Sequence, residues 1–362
     1  MRILIGLTEI ANLISNYSDG LTTLGHEVIS VVREKNRFYP ESNYSYILSE
    51  LTTSKNIDKI IWKLPSNIRV FNQLAHEVDL IIYLGRTNYL PFLLDYPRLH
   101  HLGKQIISTF WGSDIRYGPA VRCESRSLGF ENEIEPFLNY YEHVSTLRRL
   151  RICYYIKVAE RYAGLILAQR GYGQLLKRPY MRATIPIVLD NYTFQVPGRK
   201  VPKILHAPSS AVIKGTSYIL QTVEELKSEG LNFDFILTQN TPNDKVRKLL
   251  TDTDIVVDQI YSDTVGMLAT EAMASGCLTL TRYDAGYAMI PADCPAVPIN
   301  MFTLKDKLRW AILDLDSRVN LAEAGRDFIQ RNYDHILVVK KMLDYLNKGP
   351  KQVFDFIPGK IS

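Results

Sequence analysis

DIVVDQIYSDTVGMLATEAMASGCLTL, running from Asp254 to Leu280, reads as a short apolar strand, a polar loop holding Asp263 and Gly266, a helix opening around Glu271, and a second strand after Gly276. In an open α/β sheet such loops lie at the C-terminal edge of the strands, where helix N-termini present unpaired N–H groups to anions and sugar hydroxyls. Asp263 stands eight positions before Glu271 across this junction, so both carboxylates can face one pocket. The plain alternative is a solvated loop acid and an ordinary glutamate in a helix's first turn.

The same alternation continues on both sides. Upstream, Val201 to His206 reads as a strand, Ala207 to Val212 as a loop, and Gly215 to Glu229 as a helix with apolar positions near helical spacing. Lys214 stands beside that helix start, where its charge is either solvated or aimed at an anion. Phe233 to Thr238 is a further strand, with Gln239 and Asn240 at its C-terminal edge. The chain opens on a strand, Arg2 to Leu7, and the turn Leu24-Gly25-His26-Glu27-Val28 leads into another at Ile29 to Val32. Val78 to Leu84 and Gln105 to Phe110 read as two more.

The order SDTVGMLATEAMASG resembles the donor-site signature of GT-B glycosyltransferases, within them the large retaining, nucleotide-sugar-dependent group 1 (GT4-like) family. Asp263 stands at that signature's first acid and Glu271 at its second, with Ala272, Met273, Ala274 and Gly276 completing it. The first acid is usually glutamate, so the carboxylate here is one methylene shorter. Lys214 and Gly215 match the family's phosphate-binding lysine and glycine, while Ser209 stands where an arginine is usual. Trp111-Gly112-Ser113-Asp114-Ile115 resembles a Gly-Ser-Asp segment of the N-terminal half of the cleft, and Ile185 to Asp190 a bridge between domains.

The resemblance implies an α/β GT-B fold, two facing Rossmann-like domains with a cleft between them. Residues 1–190 form the expected acceptor domain, 191–335 the donor domain, and 336–362 a helix crossing back to the first domain plus a tail. It implies transfer of a sugar from a nucleoside diphosphate sugar to a hydroxyl of a glycan or lipid-linked acceptor, with retention and with no cofactor or metal required. Glu271 would accept ribose hydroxyls; Asp263 and the backbone of Thr264, Val265 and Gly266 would orient the sugar. Lys214, helped by Ser209 and Ser210, would stabilise the departing diphosphate, and Gln239 would lie near the base. Asp114 either binds an acceptor hydroxyl or caps a local turn, Trp111 either offers a flat face to a sugar or packs, and His101 is either functional or plain surface. The rivals are a noncatalytic scaffold on the same fold and another GT-B sugar-nucleotide enzyme such as an epimerase.

Size and composition agree with two domains. The 362 residues exceed a single core's usual range, and 46% hydrophobic with 22% charged residues suffices for real cores. Four cysteines, Cys123, Cys153, Cys277 and Cys294, show no metal or disulfide spacing. The opening MRILIGL is followed by polar residues rather than a signal-peptide pattern, so a cytoplasmic protein is expected. Formal net charge is +5, and basic residues crowd the region from Arg148 to Arg182 around a solitary Glu160. This region reads equally as a solvated helix face or as a docking surface for anionic lipid, which would place the protein peripherally at the inner face of the cell membrane. Without a recognisable module, nucleic acid is not an expected partner.

Overall fold

The computed structural model describes residues 1–50, 59–142 and 146–348. The expected tail, Pro350 to Ser362, lies outside the described residues.

Twelve strands among the described residues form two sheets. β1 (Arg2–Leu7), β2 (Glu27–Val32), β3 (Tyr46–Ile47), β4 (Leu80–Leu84), β5 (Gln105–Phe110), β6 (Leu165–Ala168) and β7 (Met181–Arg182) pair in parallel in the order β3-β2-β1-β4-β5-β6-β7. β8 (Lys203–His206), β9 (Asp234–Leu237), β10 (Ile255–Val257), β11 (Leu278–Thr281) and β12 (Val297–Pro298) form a second parallel sheet in the order β12-β11-β10-β8-β9. Strands this apolar are buried on both faces, as a parallel sheet with helices on either side requires. Along β1, Ile3 and Ile5 enter one core and Leu4 and Leu7 another. Along the central strands of the second sheet, Ile204, Ile255 and Leu278 face one core while Leu205 and Val256 face the other.

The strand order reverses once in each sheet, between β1 and β4 and between β8 and β10. At such a switch point, successive connections leave toward opposite faces and open a crevice beyond the strands' carboxyl ends. The chain therefore contains two crevices, one per sheet, and a cavity between the halves is lined from both, by Ile10 and Ala11 after β1 and by Ala207 to Ser209 after β8.

The halves share packing as well as a cleft. Helix Gly118–Ser127 and helix Glu135–Glu142 belong to the first half of the chain, yet Val121, Phe137 and Leu138 join the core of the second sheet. Helix His335–Lys348 packs on helix Leu13–Thr23 of the first half, where an added Cβ on Gly20 would come 2.8 Å from the His335 carbonyl oxygen. Among the described residues, no helix is long and apolar enough to cross a membrane.

Two details depart from the sequence reading. Ala211–Lys214 is a short helix of its own, ended by Gly215 at φ 76°, before helix Thr216–Ser228 begins. An L residue at Gly215 would be strained, and its Cβ would meet Ile260 at 2.3 Å. The helix after β10 starts at Met267, so Glu271 sits in its second turn, fully inside, rather than at its opening.

Candidate functional site

Lys214, Glu271 and Ser209 converge on one cavity of about 300 Å³ between the two halves. Among the described residues lining it, Lys214 is the one lysine or arginine. The Lys214 ammonium donates to Asp258 Oδ1 at 2.8 Å and Gln259 Oε1 at 2.7 Å. Asp258 is completely buried, so this pairing both neutralises a buried carboxylate and fixes the ammonium in direction. Gly266 closes the arrangement from behind. A Cβ there would stand 3.0 Å from Asp258 Oδ2 and 3.5 Å from Lys214 Nζ, so this glycine serves close approach rather than an unusual backbone angle. Its position as N-cap of helix Met267–Ser275, without a side-chain cap, leaves that helix's first N–H groups for another acceptor.

The Glu271 carboxylate accepts from Tyr192 Oη at 2.9 Å and Asn243 Nδ2 at 2.7 Å. Burial nevertheless pushes its pKa up to about 7, against the opposing effect of those two bonds. Across the cleft Glu9 is also raised to about 7 by burial, although Ile14 N and Tyr44 Oη donate to it. Between these two acids Tyr39 lies buried in the cavity wall.

The segment carrying Tyr39 ties the halves together. Asn243 N donates to Phe38 O at 2.8 Å, Arg37 Nη2 to Asn240 Oδ1 at 3.1 Å, and Arg247 pairs with Glu41 at 3.6 Å. Behind the lysine, buried His206 of β8 bridges β10 and helix Thr216–Ser228, with Nδ1 2.7 Å from Val257 O and Nε2 2.9 Å from Thr216 Oγ1. Burial lowers its pKa to about 4, so the ring is neutral; a carbonyl only accepts, so Nδ1 carries the proton and Nε2 accepts from Thr216. This histidine anchors the loop that ends in Lys214.

The other sequence candidates fall elsewhere. Asp263 does not line the cavity: its carboxylate is buried against Arg116 Nη2 at 3.3 Å and accepts Tyr172 N at 2.7 Å, both from the first half of the chain. Gly171 makes room for that arginine, since its Cβ would stand 2.3 Å from Nη2. Thr264 receives Gln259 Nε2 on its carbonyl at 2.6 Å, and Val265 is buried in the core shared with the first sheet. Ser210 is N-cap of the short Ala211–Lys214 helix but makes no side-chain cap. Gln239 is exposed and off the cavity; Thr238, Asn240 and Thr241 line that end instead.

Asp114 caps its own loop, accepting from Trp111 N at 3.0 Å and Gly112 N at 2.8 Å. Trp111 packs, with its indole N–H on Thr109 Oγ1 at 2.8 Å. His101, for which a functional and a plain surface role both stood open, is exposed. It ends helix Asp95–His101, just before β5, and therefore lies at the N-terminal edge of the sheet, opposite the cleft. Its place before a parallel strand already carried that information. The basic region is corrected in part: Arg178 donates to the carbonyls of Glu160, Ala163 and Gly164, Arg182 to Tyr333 Oη, and Arg170 stacks on Tyr287, so the exposed charge is concentrated on helix Thr146–Tyr162.

Sequence reasoning missed Asp258, Gln259, Tyr192 and Asn243 as partners of the two central side chains. Asp258 had a signal, being an acid directly after an apolar strand; the others did not. Among the described residues, no group of three or more His, Cys, Asp or Glu side chains is placed to hold a metal.

Two parallel doubly wound sheets with a shared cleft at their carboxyl edges make this a GT-B fold. Comparison with solved structures agrees. Anabaena HepE, solved with UDP-glucose, matches with a TM-score of 0.60 at 13% identity over 96% of this chain and 100% of that one. An α-glucosyltransferase solved with UDP and a 13-mer DNA matches with 0.61 at 12% identity over 96% and 100%. WaaG, a glycosyltransferase involved in lipopolysaccharide biosynthesis, matches with 0.54 at 16% over 96% and 100%. No protein-family model and no curated protein matches the chain.

Proposed function

We propose that the chain is a retaining glycosyltransferase of the group 1, GT4-like kind, moving a sugar from a nucleoside diphosphate sugar to a hydroxyl of a glycan or lipid-linked acceptor. The observation that carries this reading is the convergence of Lys214 and Glu271, 57 positions apart in order, on one cavity, with the uncapped start of helix Met267–Ser275 beside them. Glu271, already oriented by Tyr192 and Asn243, accepts the ribose hydroxyls. Lys214 and the helix N-terminus bind the diphosphate, and both interactions strengthen as negative charge grows on the β-phosphate when the glycosidic bond breaks. Ser209 contributes a hydroxyl in place of a second cation. Asp263 acts through Arg116, setting the backbone of Thr264 to Gly266 against the donor sugar. With the acceptor on the same face as the departing phosphate, that phosphate takes the hydroxyl proton and the configuration is retained.

Calorimetric titration with a panel of nucleoside diphosphates and their sugar conjugates, without metal and then with magnesium, tests this. Selective binding lost in Lys214→Ala and in Glu271→Gln supports it; unaltered binding in both folded variants refutes the placement. The ion pair that occupies Asp263 favours one second reading, a noncatalytic scaffold, for which donor hydrolysis and transfer would both be absent in protein that binds the donor.

A cytoplasmic protein resting on an anionic membrane surface fits the helix Thr146–Tyr162, where exposed Leu147 and Leu150 stand among Arg149 and Arg151, with exposed Phe92 and Leu94 nearby through the Tyr154–Phe92 hydrogen bond. Salt-sensitive binding to anionic vesicles is expected, and equal binding to neutral vesicles would refute it.

A further inference from the structure

Beside the crevice of the first sheet, the loops after β4 and β5 are chemically unlike the other crevice. The two loops touch: Asp114 Oδ2 lies 3.6 Å from where a Cβ on Gly85 would stand, immediately before Arg86 in the loop after β4. Arg148, from the helix Thr146–Tyr162, donates Nη2 to Ser113 O at 3.2 Å, and the Arg149 guanidinium stacks 5.5 Å from the centre of the Tyr117 ring. Three arginines from two elements thus surround one loop. The single acid among them, Asp114, already accepts the backbone N–H groups of Trp111 and Gly112.

Arg86 Nη1 is buried and has no hydrogen-bond partner among the described residues. Burial, then the charge of Arg148 and more weakly that of Arg151, hold Arg86 below the ordinary arginine range, with Asp114 opposing. A buried donor without an acceptor, crowded by like charge, is costly in the free protein and relieved by an anion. The planar fork of a guanidinium matches two oxygens of a phosphoryl group, and two guanidinia from separate elements can share its charge. The same loop reaches the donor half, because Arg116, two residues after Asp114, pairs with Asp263. A group bound at Arg86 is therefore connected through a single loop to the donor-side backbone.

We propose that Arg86 and Arg148 bind a phosphoryl group carried by the acceptor, so that the acceptor is a phosphate ester. The inference rests on the donor reading for the word acceptor, not for the site itself. A soluble phosphate ester and a lipid headgroup share this chemistry.

The full chain is first titrated with UDP by calorimetry, which tests the donor reading alone. Glycerol 3-phosphate is then titrated with UDP saturating, so that the Lys214 end of the cleft is filled, with glycerol as the uncharged control. In parallel, vesicles of phosphatidylcholine with and without phosphatidic acid are tested by co-sedimentation. The expected result is phosphate-dependent binding that Arg86→Gln and Arg148→Gln each weaken about tenfold or more, and Arg86→Lys weakens less. Arginine-dependent binding of glycerol 3-phosphate identifies a soluble ester as sufficient; the same dependence for phosphatidic acid vesicles alone identifies a lipid headgroup. If neither ligand depends on either arginine, the proposal is overturned. Should Arg86→Gln fail to fold, judged by its melting temperature, Arg148→Gln carries the test from its half-buried position on the helix. If UDP does not bind, the phosphate titration is run without it; arginine-dependent binding then keeps the phosphoryl site while the donor reading falls.

Discussion

The crevice after β8 and β10 and the loops after β4 and β5, which lie beside the crevice of the first sheet, are furnished in opposite ways. After β8 and β10 every charged group has a partner before any ligand arrives: Lys214 with Asp258, Glu271 with Tyr192 and Asn243, Asp263 with Arg116. After β4 and β5 the balance is left open: among the described residues Arg86 Nη1 has no acceptor, and Arg148 and Arg151 repel it with Asp114 opposing. A preorganised site loses little on binding and holds its groups where charge will develop. A site with an unpaired cation instead gains its missing partner from the ligand. Under the proposed function, the difference teaches that donor geometry is set within the protein, whereas the acceptor side is completed by what it binds.

The largest effect that would break this comparison is expected at Lys214. Removing it in Lys214→Ala takes away the cavity's cation and leaves Asp258 buried without its ammonium. Turnover should fall by about 10²–10³, and a urea titration should show lower stability; a variant with full turnover would mean that the preorganised pair is only structural. Next, Arg116→Ala strands Asp263, whose side chain is 2% exposed and keeps only the Tyr172 N–H. A loss of about 3 kcal/mol by urea denaturation is expected, with Arg116→Ala/Asp263→Ala less destabilised than Arg116→Ala alone.

Acidity sharpens the contrast further. Because burial raises Glu271 from 4.5 to about 7, the folded chain holds this proton more tightly than the unfolded chain. Its contribution to stability is therefore full below about pH 4.5 and lost as pH rises to about 7, a change of roughly 3 kcal/mol. Ribose hydroxyls donating to the carboxylate favour its ionised form, so UDP affinity should move the other way and rise about tenfold between roughly pH 6 and 8. Glu9 shares the raised value, so the stability measurement is the difference between the parent and Glu271→Gln across that range. Parallel curves for the two proteins would show that Glu271 does not titrate there. The smallest effect is expected from Arg37→Ala, which removes one exposed contact to Asn240 across the cleft. About a twofold faster release of UDP in stopped flow would fit a contact of this strength, and no change would mean that Phe38 O and Asn243 N hold the halves unaided.

Much of the second half of the chain was legible because its information is local. Strand, loop and helix follow one another within thirty residues, and the resemblance to the GT-B signature then singled out Lys214 before Gly215 and Glu271 before Gly276. Partners were not legible, because Asn243 and Tyr192 come from separate segments and Arg116 is 147 positions from Asp263. For Asp114 the sequence left two roles open, and the structure shows the local cap, with the loop's own N–H groups donating to its carboxylate. For His101 two roles also stood open, and the structure places it at the end of helix Asp95–His101, before the N-terminal end of β5.

The sequence by itself determined the alternation of strands and helices, because hydrophobic period and turn chemistry act over a few residues, while its resemblance to GT-B glycosyltransferases implied two doubly wound halves and pointed to the residues at the β8 and β10 edge. Only the tertiary structure decided what each charge faces. Whether Asp263 is solvated or meets Arg116, and whether Arg86 Nη1 is solvated or buried without a partner among the described residues, depends on the approach of segments far apart in the chain, and burial then makes each such meeting count.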